Sequence, residues 1–212
     1  MKPMSEAGDV SVRRGRTPSA DVERELLAAA ETVLVRSGPA GLTVRAVAAE
    51  AGIAPMGVYN RLGGKDGLID ALLIKGFDRL RDTVELGLDP AAGPDMTARF
   101  YACGLRYREF ALGNPHFYAI MFEEPNLKER DNAEVAEHAA GAFGALVRIV
   151  ELSAAAGAIT APDPVEAAQQ IWSAIHGAVA LELKCLVLTP DPAVTYRALL
   201  GTLIGGLKNE NP

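Results

Sequence analysis

Apolar residues recur at helical spacing along almost the whole chain, and strict apolar–polar alternation is nearly absent. That periodicity restricts the chain to an all-α fold. A stripe at i, i+3, i+4 and i+7 lies on one side of a helix but would scatter over both faces of a strand. Glycines and prolines cut the pattern at Gly38-Pro39, Gly52, Gly63-Gly64, Gly93-Pro94 and Gly113-Asn114-Pro115. Read with these stops, the periodicity predicts helices over 21–37, 44–51, 55–62, 66–88, 95–112, 116–122, 131–156, 163–188 and 191–207.

The sharpest information lies between residues 43 and 64. Thr43 is placed to cap a short helix whose inner stripe is Val44, Val47, Ala48 and Ala51. Gly52 ends that helix, and Pro55 occupies the first position of the next, which stops at Gly63-Gly64. Two short helices joined by a glycine-containing turn make a helix-turn-helix, with Ile53 and Val58 turned back onto the first helix of the chain. The exposed side of the second helix is small and polar, which suits the major groove of double-stranded DNA.

The segment LTVRAVAAEAGIAPMGVYNRLGGKDGLIDAL resembles the DNA-binding signature of TetR-type regulators over about thirty residues. The resemblance implies that Thr43 and Tyr59 contact phosphates and that Lys65 meets the DNA backbone from the start of the fourth helix. One departure stands out: the family commonly has an aromatic or histidine pair after the tyrosine and arginine, whereas this chain reads Tyr59-Asn60-Arg61-Leu62. The chemistry of the residues points the same way, since hydroxyls and a point charge beside a helix N-terminus orient a duplex without reading it. Base reading then falls to Arg45, Ala54, Pro55, Met56, Gly57 and Asn60. Asn60 suits adenine, Arg45 suits guanine and the apolar groups suit thymine methyls. The competing structural roles are a packed Tyr59 and a solvated Lys65.

A net charge of −6 argues against nucleic acid only until its distribution is read. Residues 1–75 carry a balance of +1 and residues 76–212 a balance of −7, so the acidity belongs to the C-terminal part. Residues 1–18 have no apolar face and carry Arg13, Arg14 and Arg16, which reads as a flexible basic arm, either solvated or touching DNA. No apolar run approaches the length of a membrane span, and Glu6 and Asp9 interrupt the position of a secretory leader, so the expectation is a cytoplasmic protein with no membrane partner. Cys103 and Cys185 have no partner spacing and read as buried thiols.

Residues 19–65 are thus expected to form the DNA-binding domain and residues 66–212 a ligand-binding and dimerisation domain. Asp163-Pro164 and Asp191-Pro192 give the last two helices matching starts, each an acid cap followed by proline. Ala174, Gly177, Ala178, Gly201 and Gly205 permit close helix approach, so this pair is expected to form a homodimer through a four-helix interface. IWSAIHGAVALEL, with NPHFYAIMF upstream, resembles the Trp-His-Gly type of TetR C-terminal domain and implies an inducer pocket within the bundle.

Phe100, Cys103, Tyr107, Phe117, Met121, Phe122, Phe143, Trp172 and His176 are the candidate pocket residues, because such sites are apolar with a few polar anchors; plain core packing is the alternative for each. His116 reads better as a helix-end histidine. Glu134-Val135-Ala136-Glu137-His138 misses the Glu-x-x-His spacing of di-iron bundles, and no phosphate loop, HExxH or GxSxG occurs. The expectation is therefore a non-enzymatic repressor with no metal or cofactor, held on operator DNA and released by a small apolar or amphipathic inducer. The competing reading is a helical small-molecule-binding or enzyme-like protein whose helix-turn-helix is vestigial.

Overall fold

The computed structural model describes residues 19–89, 95–123 and 131–208, and every regular element among them is helical. In chain order these are α1 (Ser19–Gly41), α2 (Val44–Glu50), α3 (Pro55–Leu62), α4 (Lys65–Glu85, with a 3₁₀ turn over Leu86–Leu88), α5 (Met96–Gly113), α6 (Pro115–Phe122), α7 (Ala133–Ala155), α8 (Pro164–Leu183) and α9 (Pro192–Lys208). The arm carrying Arg13, Arg14 and Arg16 lies outside the described residues.

The stops act through identifiable backbone geometry. Gly38 sits at φ 65°, breaking α1 before its last short turn. At the end of α2, Ile53 N–H donates to Ala48 and Gly52 N–H to Ala49, with Gly52 left-handed at φ 67°. This paired closure satisfies carbonyls that the helix end would otherwise orphan. α7 ends the same way at Gly157.

α8 departs from the sequence expectation, ending at Leu183 instead of Leu188. Leu186 N–H closes onto Leu181 and Cys185 N–H onto Glu182, with Cys185 itself left-handed at φ 56°. A side chain occupies the position that glycine usually takes, so no residue type announced the stop. The same turn exposes Cys185, correcting its assignment as a buried thiol; Cys103 is buried. α7 is capped by Asn132, whose Oδ1 accepts from the Glu134 and Val135 amides. Asp163 and Asp191 cap α8 and α9 in the same manner.

One continuous apolar core runs from Leu26, Val33 and Leu34 of α1, through Val47 and Val58, to Ile149 of α7 and Ile204 of α9. α4 is its spine. Glu31 of α1 is bonded to both Lys75 and Arg79 of α4, and the Arg79 guanidinium lies 5.2 Å from the Phe117 ring of α6. Burial would raise the Glu31 carboxyl, but its bonds to the two cations outweigh that and hold it below its usual range. On its other side α4 meets α7 through His138–Asp78 at 2.7 Å and Asn132–Asp70 at 2.9 Å. No helix among the described residues is long and apolar enough to cross a membrane.

Candidate nucleic-acid interface and ligand cavity

The outward end of the molecule is built by α2 and α3. Val58 of α3 is fully buried and anchors the helix on the core. Helical geometry then sends Met56, Tyr59 and Asn60 away from the body, and Met56 and Tyr59 are 64% and 54% exposed. Ala54, Pro55 and Asn60 are exposed beside them, as are Thr43 and Arg45 at the start of α2 and Lys65 at the start of α4. Gly57 is half-buried under Ile53, so its place on this surface is smaller than its neighbours'. No side chain caps α3 at Ala54, which leaves the positive end of its dipole to solvent.

Close backbone approaches fix the geometry. Tyr59 rests on bare Gly64: a Cβ there would stand 2.9 Å from Tyr59 Cε1, and Gly64 has φ 99°. The ring is thus packed on Gly64 on one side and exposed on the other. Gly67 lies so close to α3 that any side chain would overlap the Leu62 carbonyl. Thr43 Oγ1 accepts from the Ala46 amide at 3.2 Å, leaving the hydroxyl proton free to donate outward. Arg36 pairs with Glu50 at 2.8 Å, tying α1 to the end of α2.

The opposite end encloses a cavity of about 200 Å³. Phe100, Cys103 and Tyr107 of α5, Phe122 of α6, Phe143 of α7 and Trp172 of α8 line it, six of the nine candidate pocket residues. Phe117 and Met121 do not: both are buried facing Gly76 of α4, where a Cβ would meet their side chains, so they are core packing. His176 is also off the wall, stacked behind it against Tyr118 with ring centroids 5.3 Å apart. The aliphatic part of the lining, including Leu80, Ile175, Leu200, Leu203 and Ile204, escaped the sequence reading. Its visible signal in the sequence is no more than the ordinary apolar stripe of each helix.

A small polar network runs inward from Tyr107 on the wall to Tyr118 and His176 behind it. Tyr107 Oη and Tyr118 Oη lie 3.0 and 2.8 Å from the same His176 Nδ1. Burial lowers the imidazole pKa and raises those of both phenols, so all three are neutral near pH 7. Burial also pushes the Cys103 thiol up to about 11, although Arg106 and Arg99 oppose the shift. Tyr118 is buried and was not singled out from sequence, though its neighbour Phe117 was. His116, near Gly38, fits its helix-end reading. Among the described residues no group of three His, Cys, Asp or Glu side chains is arranged to hold a metal ion.

Residues 26–72 match the family described as bacterial regulatory proteins, tetR family. Residues 100–203 match the family described as tetracyclin repressor-like, C-terminal domain. HTH-type transcriptional regulators of Mycobacterium tuberculosis and Mycobacterium bovis are 26% identical over 136 residues, 62% of this chain. The chain spans 58% of the length of those relatives. Among solved structures, a protein with unknown function from Rhodococcus sp. RHA1 superposes with a TM-score of 0.79 and 28% identity, covering 95% of this chain and 100% of that one. The fatty acid degradation regulator FadR from Bacillus halodurans gives 0.67 at 17% identity, covering 87% and 99%, a likeness of fold.

Proposed function

Since the chain belongs to the TetR family of transcriptional regulators, we propose that it is a homodimeric repressor, held on a palindromic operator through α2, α3 and the start of α4 and released when a small apolar or amphipathic molecule fills the cavity. The observation that carries the reading is the placement of α3. Its apolar anchor Val58 is fully buried, while Met56, Tyr59 and Asn60 stand exposed, as do Thr43 at the start of α2 and Lys65 at the start of α4. In this reading Thr43, Tyr59 and Lys65 clasp phosphates, and Arg45, Ala54, Pro55, Met56, Gly57 and Asn60 meet base edges.

Two copies joined along α8 and α9 would bring their α3 helices to one duplex, about 35 Å apart or a modest multiple of it. The exposed sides of those helices support that pairing: Gly177, Gly201 and Gly206 are exposed with open space above them. α4 supplies the coupling. It begins at the α3 junction and contributes Phe77, Leu80 and Val84 to the cavity. A ligand that prefers the released spacing by about 3 kcal/mol lowers operator affinity more than a hundredfold, and DNA weakens ligand binding by the same factor.

The test is selection of bound fragments from a genomic library at low ionic strength, followed by sedimentation of the complex. Enrichment of an inverted repeat bound by two copies supports the proposal. Recovery of background sequence alone sinks it and favours a small-molecule-binding protein with a vestigial helix-turn-helix.

A further inference from the structure

We propose that the cavity selects an uncharged, largely apolar ligand carrying one carbonyl or hydroxyl oxygen, which accepts its hydrogen bond from Tyr107. This rests on the sensor reading above and names the class of molecule that the site takes.

The argument begins with a proton count. A neutral imidazole nitrogen offers one lone pair or one N–H, so His176 Nδ1 can satisfy only one of the two phenols facing it. Tyr118 has the shorter contact, 2.8 Å against 3.0 Å, and a second acceptor in the His176 carbonyl at 3.4 Å. Tyr107 has that shared nitrogen as its one recorded acceptor among the described residues, at 3.0 Å. Of the two tyrosines, only Tyr107 reaches the cavity wall. A ligand oxygen placed there takes the Tyr107 proton and leaves Nδ1 to Tyr118 alone.

The rest of the wall excludes charge. Among the described residues no acidic or basic side chain lines the cavity. Arg99, whose Nε is buried without a hydrogen-bond partner among the described residues, is on α5 but not on the wall. Cys103 serves as an internal gauge: desolvation keeps its thiol protonated to about pH 11 despite Arg106 and Arg99, so a carboxylate placed beside it meets the same penalty. At liquid packing the volume of about 200 Å³ holds roughly seven water-sized groups, and the denser packing of a protein interior raises this to about eight or nine heavy atoms.

Trp172 is the single tryptophan and lines the cavity, so its fluorescence reports occupancy without any DNA. The test titrates the full chain with 2-octanone, 1-octene and octanoate at pH 7.5, in the native protein and in Tyr107→Phe and Tyr118→Phe. The native protein is expected to bind 2-octanone at least tenfold tighter than octanoate. Tyr107→Phe is expected to lower the ketone-to-alkene affinity ratio about fivefold to tenfold while leaving 1-octene bound. Tyr118→Phe frees Nδ1 to hold the Tyr107 proton and is expected to lower the same ratio about twofold.

An unchanged ratio in Tyr107→Phe, octanoate binding as tightly as the ketone, or no binding of any of the three probes overturns the proposal. Because these titrations contain no DNA, operator selection remains a separate test of the regulator reading. A protein that selects an operator yet shows none of these preferences refutes the ligand class alone.

Discussion

The two ends of this molecule use their helices in opposite ways. At the α2–α3 end the small apolar side chains Val44, Val47, Ala48 and Val58 are buried so that the polar and small residues around them can stand outward. At the cavity end apolar side chains line an inward space, and a three-member polar network runs from Tyr107 on its wall to Tyr118 and His176 behind it. The outward surface depends on backbone position, set by glycines that let α3 lie against α4. The inward site depends on the sum of side-chain volumes from six helices. A surface of the first kind fails when a backbone contact is lost, and a site of the second kind fails when a volume is changed.

The largest expected effect comes from breaking the backbone contact. Gly67→Ala puts a methyl group into the Leu62 carbonyl and must push α3 away from α4. The expected cost is about 3 kcal/mol of stability, with operator affinity falling more than a hundredfold. Retained 2-octanone binding by Trp172 fluorescence would localise the damage. Full operator affinity would show that the α3–α4 junction does not set the reading geometry.

Filling the other end should do the reverse. Ala142 of α7 is on the cavity wall. Ala142→Leu adds three heavy atoms, roughly 90 Å³ at liquid packing, to a space of about 200 Å³. The expected outcome is a loss of ligand affinity of at least tenfold, with operator affinity within twofold of the native value. Ligand affinity that survives the substitution would place the binding site elsewhere.

The same contrast explains what could be read in advance. Thr43, Gly52, Pro55 and Gly63 each carry a backbone preference visible from one residue, and all of them fall at the helix ends where those preferences place them. α8 shows the limit, because its stop relies on Cys185 in a conformation that its residue type does not announce. In the cavity, aromatic residues were legible as a class but their orientation was not. Phe117 and Phe122 are both on α6, yet one faces α4 and the other faces the cavity. Leu203 and Ile204 are ordinary helix-stripe residues whose role exists only because five other helices meet them.

Lys65 tests the outward end more gently. Lys65→Ala is expected to weaken binding to every duplex and to reduce the salt dependence by about one ion per subunit. Asn60→Ala should instead relax the preference at one base position and leave the salt slope unchanged. Anisotropy titrations between 50 and 200 mM salt, a range over which counterion release changes affinity by orders of magnitude, distinguish the two. A Lys65→Ala slope equal to that of the native protein would return this residue to the role of a solvated charge.

The smallest effect belongs to the polar network and separates burial from packing. Burial lowers the His176 pKa below its ordinary 6.5, with Glu123 and Lys184 acting in opposite directions as lesser influences. Above that value both folded and unfolded chains hold the imidazole neutral, and stability is independent of its titration. As pH falls through 6.5 the unfolded chain takes up a proton that the folded chain refuses, so stability declines until the lower folded pKa is reached. The decline cannot exceed about 1.4 kcal/mol per pH unit, or a few degrees of Tm in a chain of this size. His176→Gln keeps a polar partner for the tyrosines and removes the proton. Its melting temperature should therefore fall less than that of the native protein between pH 7 and pH 5.5, a window above the range in which Glu31 titrates. Parallel melting curves would mean that the imidazole is as accessible to protons folded as unfolded, and that the wall before it does not keep water out.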